Sequence, residues 1–96
     1  MNGLSYTQIL KTVGLTSSTI LGKNGKREAL IIQNKGPGTI RLIPGDGPAT
    51  ANDLFVRPNT TFEWFAAPEN NIQSISNMAG TAIVIWEGEH IPLPGD

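Results

Sequence analysis

The chain has 96 residues, a formal net charge of −1 and no cysteine, which confines it to one small domain and excludes disulfides and thiolate-held metal. Lysine and arginine number seven against eight acidic residues, and neither sign clusters, so the basic patch by which a nucleic-acid binder releases counterions from phosphate is missing. Only 16% of residues are charged, well below the ~25% of an average soluble domain.

Eleven glycines and seven prolines, set among scattered Ile, Val and Thr, predict an all-β protein whose surface is apolar and amide-rich enough to meet another protein. A chain of this length buries only roughly 60–65% of the surface its unfolded form exposes. Oligomerisation or docking on a larger partner is the remaining way to bury more. No stretch approaches ~20 apolar residues, so no membrane span is expected. The start, Met1-Asn2-Gly3-Leu4-Ser5-Tyr6, has neither the basic nor the apolar region of a signal peptide. Asn59-Thr60-Thr61 matches a glycosylation sequon, but reads here as a turn entering a strand.

Along the chain, Tyr6, Ile9, Leu10 and Val13 have spacings that allow one helical turn, ended by Gly14. An arm lying on a neighbouring subunit is equally allowed. Thr16 to Leu21 is rich in β-branched residues, and Asn24-Gly25 then supplies a strong hairpin signal, because both central residues of a type I′ turn need positive φ. Arg27 to Asn34 is the next strand, with Ala29, Ile31 and Gln33 on one face and Leu30, Ile32 and Asn34 on the other. Large aliphatics on both faces predict a central strand covered on two sides. Gly36-Pro37-Gly38 reverses the chain into Thr39–Ile43, so residues 27–43 read as strand, tight turn, strand.

Pro44-Gly45-Asp46-Gly47-Pro48 is a second break, and Ala49 to Asp53 a small-residue loop. Leu54 to Arg57 is a short strand stopped by Pro58-Asn59; Thr60 to Phe65 follows, with Phe62 and Trp64 on one face and Thr61, Glu63 and Phe65 on the other. Asn71 to Asn77 is anchored by Ile72 and Ile75, whose odd spacing predicts a bulge or twist between them. Thr81 to Glu87 is the most apolar strand and belongs mid-sheet. The end, with Pro92 and Pro94, reads as an extended tail that does not pair on both sides. These features predict a small antiparallel β-sandwich or jelly-roll-like barrel of about seven strands. Residues 1–14 form an N-terminal arm in this reading, 15–88 the sandwich, and 89–96 an extended C-terminal tail.

The residues carry no catalytic signature. His90 is the single histidine, in Glu87-Gly88-Glu89-His90; on a strand 87 and 89 share a face while 90 points away, so the three converge on a metal only with a bend at Gly88, and no second histidine completes a usual zinc or iron set. None of Ser5, Ser17, Ser18, Ser74 and Ser76 lies in a Gly-x-Ser-x-Gly elbow. Glu63 and Glu87 alternate with large apolar residues, which predicts solvated outward carboxylates rather than a buried acid–base pair. The glycines lack the spacing of a phosphate loop or dinucleotide site. Trp64, Phe65 and Trp86 are candidates for a sugar-stacking platform, with core packing the plainer reading. No cofactor and no metal is expected, and no enzyme activity.

Residues 27–88 resemble small β-structured virion proteins of tailed bacteriophages, head decoration (cement) proteins among them. The resemblance rests on Arg27-x-x-Leu30-Ile31-Ile32-Gln33-Asn34-x-Gly36, a strand with Ile40 and Leu42, Leu54 with Pro58-Asn59, Ile72-x-x-Ile75-Ser76, and Gly80-Thr81-Ala82 leading into Val84-Ile85-Trp86-Glu87-Gly88. Asn59 stands where such proteins usually have Gly. The resemblance implies a non-enzymatic protein made in the host bacterial cytoplasm and placed on the capsid surface of the virion, with the major capsid protein as partner. It would bind across capsomer joints as a homotrimer, tied to the shell by its two arms. Candidate contacts are Leu4, Tyr6, Ile9, Leu10, Val13, Ile91 and Leu93. A receptor- or glycan-binding module, or a fibre-base or tail protein, is the alternative. Neither nucleic acid nor membrane is an expected partner.

Overall fold

Each of the seven segments expected to be a strand is one in a computed structural model, which describes residues 3–50 and 53–91. An eighth strand precedes them. In chain order the strands are β1 (Gly3–Val13), β2 (Ser18–Leu21), β3 (Arg27–Gly36), β4 (Ile40–Pro44), β5 (Leu54–Val56), β6 (Thr60–Phe65), β7 (Ile72–Ser76) and β8 (Thr81–Ile91). The described residues contain no helix.

Two four-stranded sheets face each other, ordered β1-β8-β3-β6 and β2-β7-β4-β5. The antiparallel pairs β1·β8, β2·β7, β3·β6 and β4·β5 nest inside one another. The chain is thus one long hairpin, bent between β4 and β5 and rolled so that β3·β8 and β4·β7 close the sheets. That winding is a jelly roll. Between the sheets lie Leu30, Ile32, Ile83 and Ile85 from the first and Ile40, Leu42, Val56 and Ile72 from the second, all buried. Each such side chain contributes about 1.5–3 kcal/mol by leaving water. Phe62 and Trp64 pack against this core edge to face, with ring centroids 5.5 Å apart, as the alternation in β6 predicts.

The first difference from the sequence reading is β1. Residues 3–13 are neither a helical turn nor a free arm; they pair with β8 over eleven positions, from Gly3↔Ile91 to Val13↔Thr81. The helical spacing arose because Tyr6 and Leu10 lie on one face of the strand while Ile9 and Val13 lie on the other. Residues 89–91 belong to β8 for the same reason, and residues 92–96 of the expected tail lie outside the described residues.

Both expected hairpins are instead crossings between sheets. Asn24-Gly25 does form a turn, with the Lys26 N–H donating to Asn24 Oδ1 at 3.0 Å, yet β2 and β3 on either side lie in different sheets. Likewise β3 and β4 do not pair, and the Gly36–Pro37 peptide between them is cis. Asn34 shapes this corner. Buried at 1% exposure, its amide donates to the Gly38 and Val56 carbonyls, each at 2.8 Å, and accepts from the Gly36 N–H at 2.8 Å. Gly36 takes a φ of 86° there, which a side chain would disfavour. Asn59 turns at φ 63°, a conformation asparagine tolerates well.

The other end of β3 is held by Arg27. Its side chain is buried. Its Nε donates to Glu87 Oε2 at 2.7 Å, Nη1 to the carbonyls of Pro68 and Asn70 at 2.9 and 2.8 Å, and Nη2 to that of Gly22 at 2.6 Å. Glu87 therefore does not point outward to solvent; it shares the inner face with Ile83 and Ile85 and is 12% exposed. Nor does it neighbour Glu63, because β3 runs between their strands. The spacing of Ile72 and Ile75 also has another cause. The β4·β7 register is unbroken, with Ile72 inward and Ile75 outward beside Arg41, and the irregularity sits in β2, between Thr19 and Leu21.

Candidate interaction surface

Strands β3 and β8 are central, as expected, but the second sheet covers only one of their faces. Register places three rows of four side chains on the outer face of the first sheet: Tyr6, Gly88, Ala29 and Phe65; Gln8, Trp86, Ile31 and Glu63; Leu10, Val84, Gln33 and Thr61. Glu63 is the one charged residue among them. With strands about 4.8 Å apart and same-face residues about 7 Å apart along each, the three rows span roughly 400 Å². A patch of that size is within the range of the largest apolar patch on an ordinary monomer, which is often functional.

The face has local order. A Cβ built on Gly88 would lie 2.8 Å from Tyr6 Cε1 and 3.3 Å from the Ala29 Cβ, so the Tyr6 ring occupies the space that the glycine leaves free. Tyr6, Ile31, Gln33 and Trp86 line one shallow depression. Phe65 is 64% exposed on the edge strand β6 and Leu10 70% exposed on β1. The opposite sheet differs: on its outer face the Arg41 guanidinium lies 4.9 Å from the Phe55 ring centroid, and Thr19 and Gln73 hydrogen-bond to each other.

The candidate contact residues divide accordingly. Leu4, Tyr6 and Leu10 are exposed on the outer side of β1, and Ile91 is exposed at the end of β8. Ile9 faces inward and packs against the core. Val13 is fully buried, so as a core side chain it offers nothing to a partner. Leu93 lies outside the described residues. Trp86, Val84 and Ile31 are the residues that sequence reasoning left out of the contact set. Their signal was present in the apolar side chains on both faces of β3 and β8.

Glu89 and His90, from the group weighed as metal ligands, each have a partner within the fold. Glu89 accepts from Asn24 Nδ2 at 2.8 Å, and His90 points to the other face with Nδ1 3.4 Å from Glu28 Oε1. Among the described residues no group of three or more His, Cys, Asp or Glu gathers as a metal would require. Trp64 is occupied by the core, while Phe65 and Trp86 stand in different rows with β3 between their strands. The three aromatics thus do not form one stacking platform.

No protein-family model matches the chain, and no curated protein does. Among solved structures it is similar to a chain from "Bacillus endospore appendages form a novel family of disulfide-linked pili", with a TM-score of 0.57 and 14% identity over 95% of this chain and 89% of that one. At that identity the likeness is one of fold: an all-β sandwich shared along nearly the whole of both chains.

Proposed function

We propose that this chain is a non-enzymatic structural protein that docks on a larger assembly through the outer face of its β1-β8-β3-β6 sheet. The assembly we favour is the head of a tailed bacteriophage, which the chain decorates as a cement protein with the major capsid protein as partner. The observation that carries the docking role is the uncharged run of Tyr6, Leu10, Trp86, Val84 and Ile31 across that face. The phage assignment rests on the motif resemblance of residues 27–88. Arg27 and Glu87, the first and nearly the last residues of that pattern, pair with each other, and Asn34 and Gly36 build its first corner. Binding across a joint stabilises the assembled shell by mass action, since the ligand has affinity for the joint and little for separated subunits.

A second reading, an appendage, fibre or tail subunit, draws on the neighbour whose title describes disulfide-linked pili. The 96 residues contain no cysteine, so a link of that kind is closed to them.

Deleting residues 1–13 does not test docking, because it removes a whole strand and the buried Val13. Co-sedimentation with heads of the encoding phage that lack decoration does, using Ile31→Lys and Val84→Lys. Both residues are partly exposed on the outer face. The intact protein should saturate the heads at a fixed ratio, and each variant should bind at least about tenfold more weakly with an unchanged melt. An intact protein that stays in the supernatant would sink the head assignment. Variants that bind at full strength would sink the choice of face.

A further inference from the structure

The first sheet ends in an open edge that, among the described residues, only Lys11 guards. β1 is eleven residues long and, among the described residues, pairs on one side only, with β8. The other sheet edges are shorter: β6 has six residues, β2 four and β5 three. Along β1, alternate residues turn their N–H and C=O groups away from β8, into solvent. Natural edges are blunted by prolines, charges or bulges. Residues 3–13 hold no proline and one charge, Lys11, and their register to β8 runs without a shift. The edge is therefore free of bulges, uncharged over most of its length, and carries exposed Leu4, Tyr6 and Leu10.

We propose that this edge pairs with the β1 edge of a second copy of the chain, antiparallel about a two-fold axis at Gln8. The register that uses all eleven residues sets each residue opposite the one equidistant from Gln8. Tyr6 then faces Leu10 and Leu4 faces Thr12 on the outer side, while Ser5 faces Lys11 and Thr7 faces Ile9 on the inner. No two like charges meet, and every pair keeps its face, because partners differ by an even number of positions. The contact is isologous, so it closes at two copies. It merges two sheets into one of eight strands and doubles the sparsely charged outer face.

This inference stands apart from the virion reading, because the purified chain alone tests it. Sedimentation equilibrium at low salt should give twice the 10.3 kDa chain mass, and amide exchange along β1 should slow as concentration rises. Gln8 is exposed and faces itself across the axis. Gln8→Lys and Gln8→Glu should each weaken the dimer about tenfold or more, by bringing two like charges together, with melts unchanged at dilutions where the chain is monomeric. An equimolar mixture of the two variants should restore association, since opposite charges then meet. A wild-type chain that is monomeric at millimolar concentration, or three chain masses, overturns the proposal. So does a dimer indifferent to both substitutions, or a mixture that fails to associate.

Discussion

Arg27→Met should be among the most damaging single substitutions outside the apolar core. The guanidinium makes four hydrogen bonds, to Glu87, Pro68, Asn70 and Gly22. They tie β3 and β8 of one sheet to the segment after β2 and to the β6–β7 connection. Methionine keeps much of the stem's packing but none of the donors. Removing one partner of a buried pair costs about 3–5 kcal/mol, because the other charge is left without compensation. Glu87 is 12% exposed, which gives its carboxylate some water and favours the lower end, about 3 kcal/mol. A domain of this length has ~5–14 kcal/mol in total, so the variant remains folded but loses a large share of its margin. With a urea slope of about 1–1.5 kcal/mol/M for so small a protein, the unfolding midpoint should fall by about 2–3 M. Arg27→Lys should recover only part of this, since an ammonium lacks the planar fork that reaches carbonyls on both sides. The double variant Arg27→Met/Glu87→Leu should be more stable than the sum of its single variants indicates, because it leaves no unpaired carboxylate. A midpoint shift under about 0.5 M at unchanged slope would refute the role assigned to Arg27.

Two further predictions address the opposite corner and the outer face. Asn34→Ala strands the Gly38 and Val56 carbonyls and the Gly36 N–H; it should cost about 2–4 kcal/mol and lower the melting midpoint by more than about 10 °C, and a drop under about 3 °C would show that water replaces the amide. Gly88→Ala should destabilise by at most about 1 kcal/mol, because its new methyl displaces only the half-exposed Tyr6 ring. The penalty should shrink in a Tyr6→Ala background; equal penalties in both backgrounds would mean that the ring is not what fills the space.

Much of the architecture was legible residue by residue. Alternation is a local property, so the two faces of β3 and β6 followed from Leu30, Ile32, Phe62 and Trp64 without knowledge of any partner. The all-β class followed from turn formers and β-branched residues in the same way. β1 was missed because apolar residues stand on both of its faces, which blurred a two-residue period into a helical one. The outer face of the first sheet left its mark in the same ambiguity: Ile31 and Trp86 were visible as apolar residues too many for a strand covered on one side.

What the chain alone determined, then, is where strands lie and which side chains share a face, because neighbouring peptide units settle both. Only the tertiary structure decided which strands pair. Asn24-Gly25 and Gly36-Pro37-Gly38 are turns in either arrangement, and whether each closes a hairpin or carries the chain to the other sheet depends on β8, whose partners in β3 lie 46 to 62 positions away, from Gly36↔Ala82 to Arg27↔Glu89. The same long-range pairing turned Arg27 and Glu87 from two apparent surface charges into a buried clamp. It also placed β1, and not the more apolar β8, at the open edge. Burial depends on what lies across the sandwich, and no local window of sequence contains that.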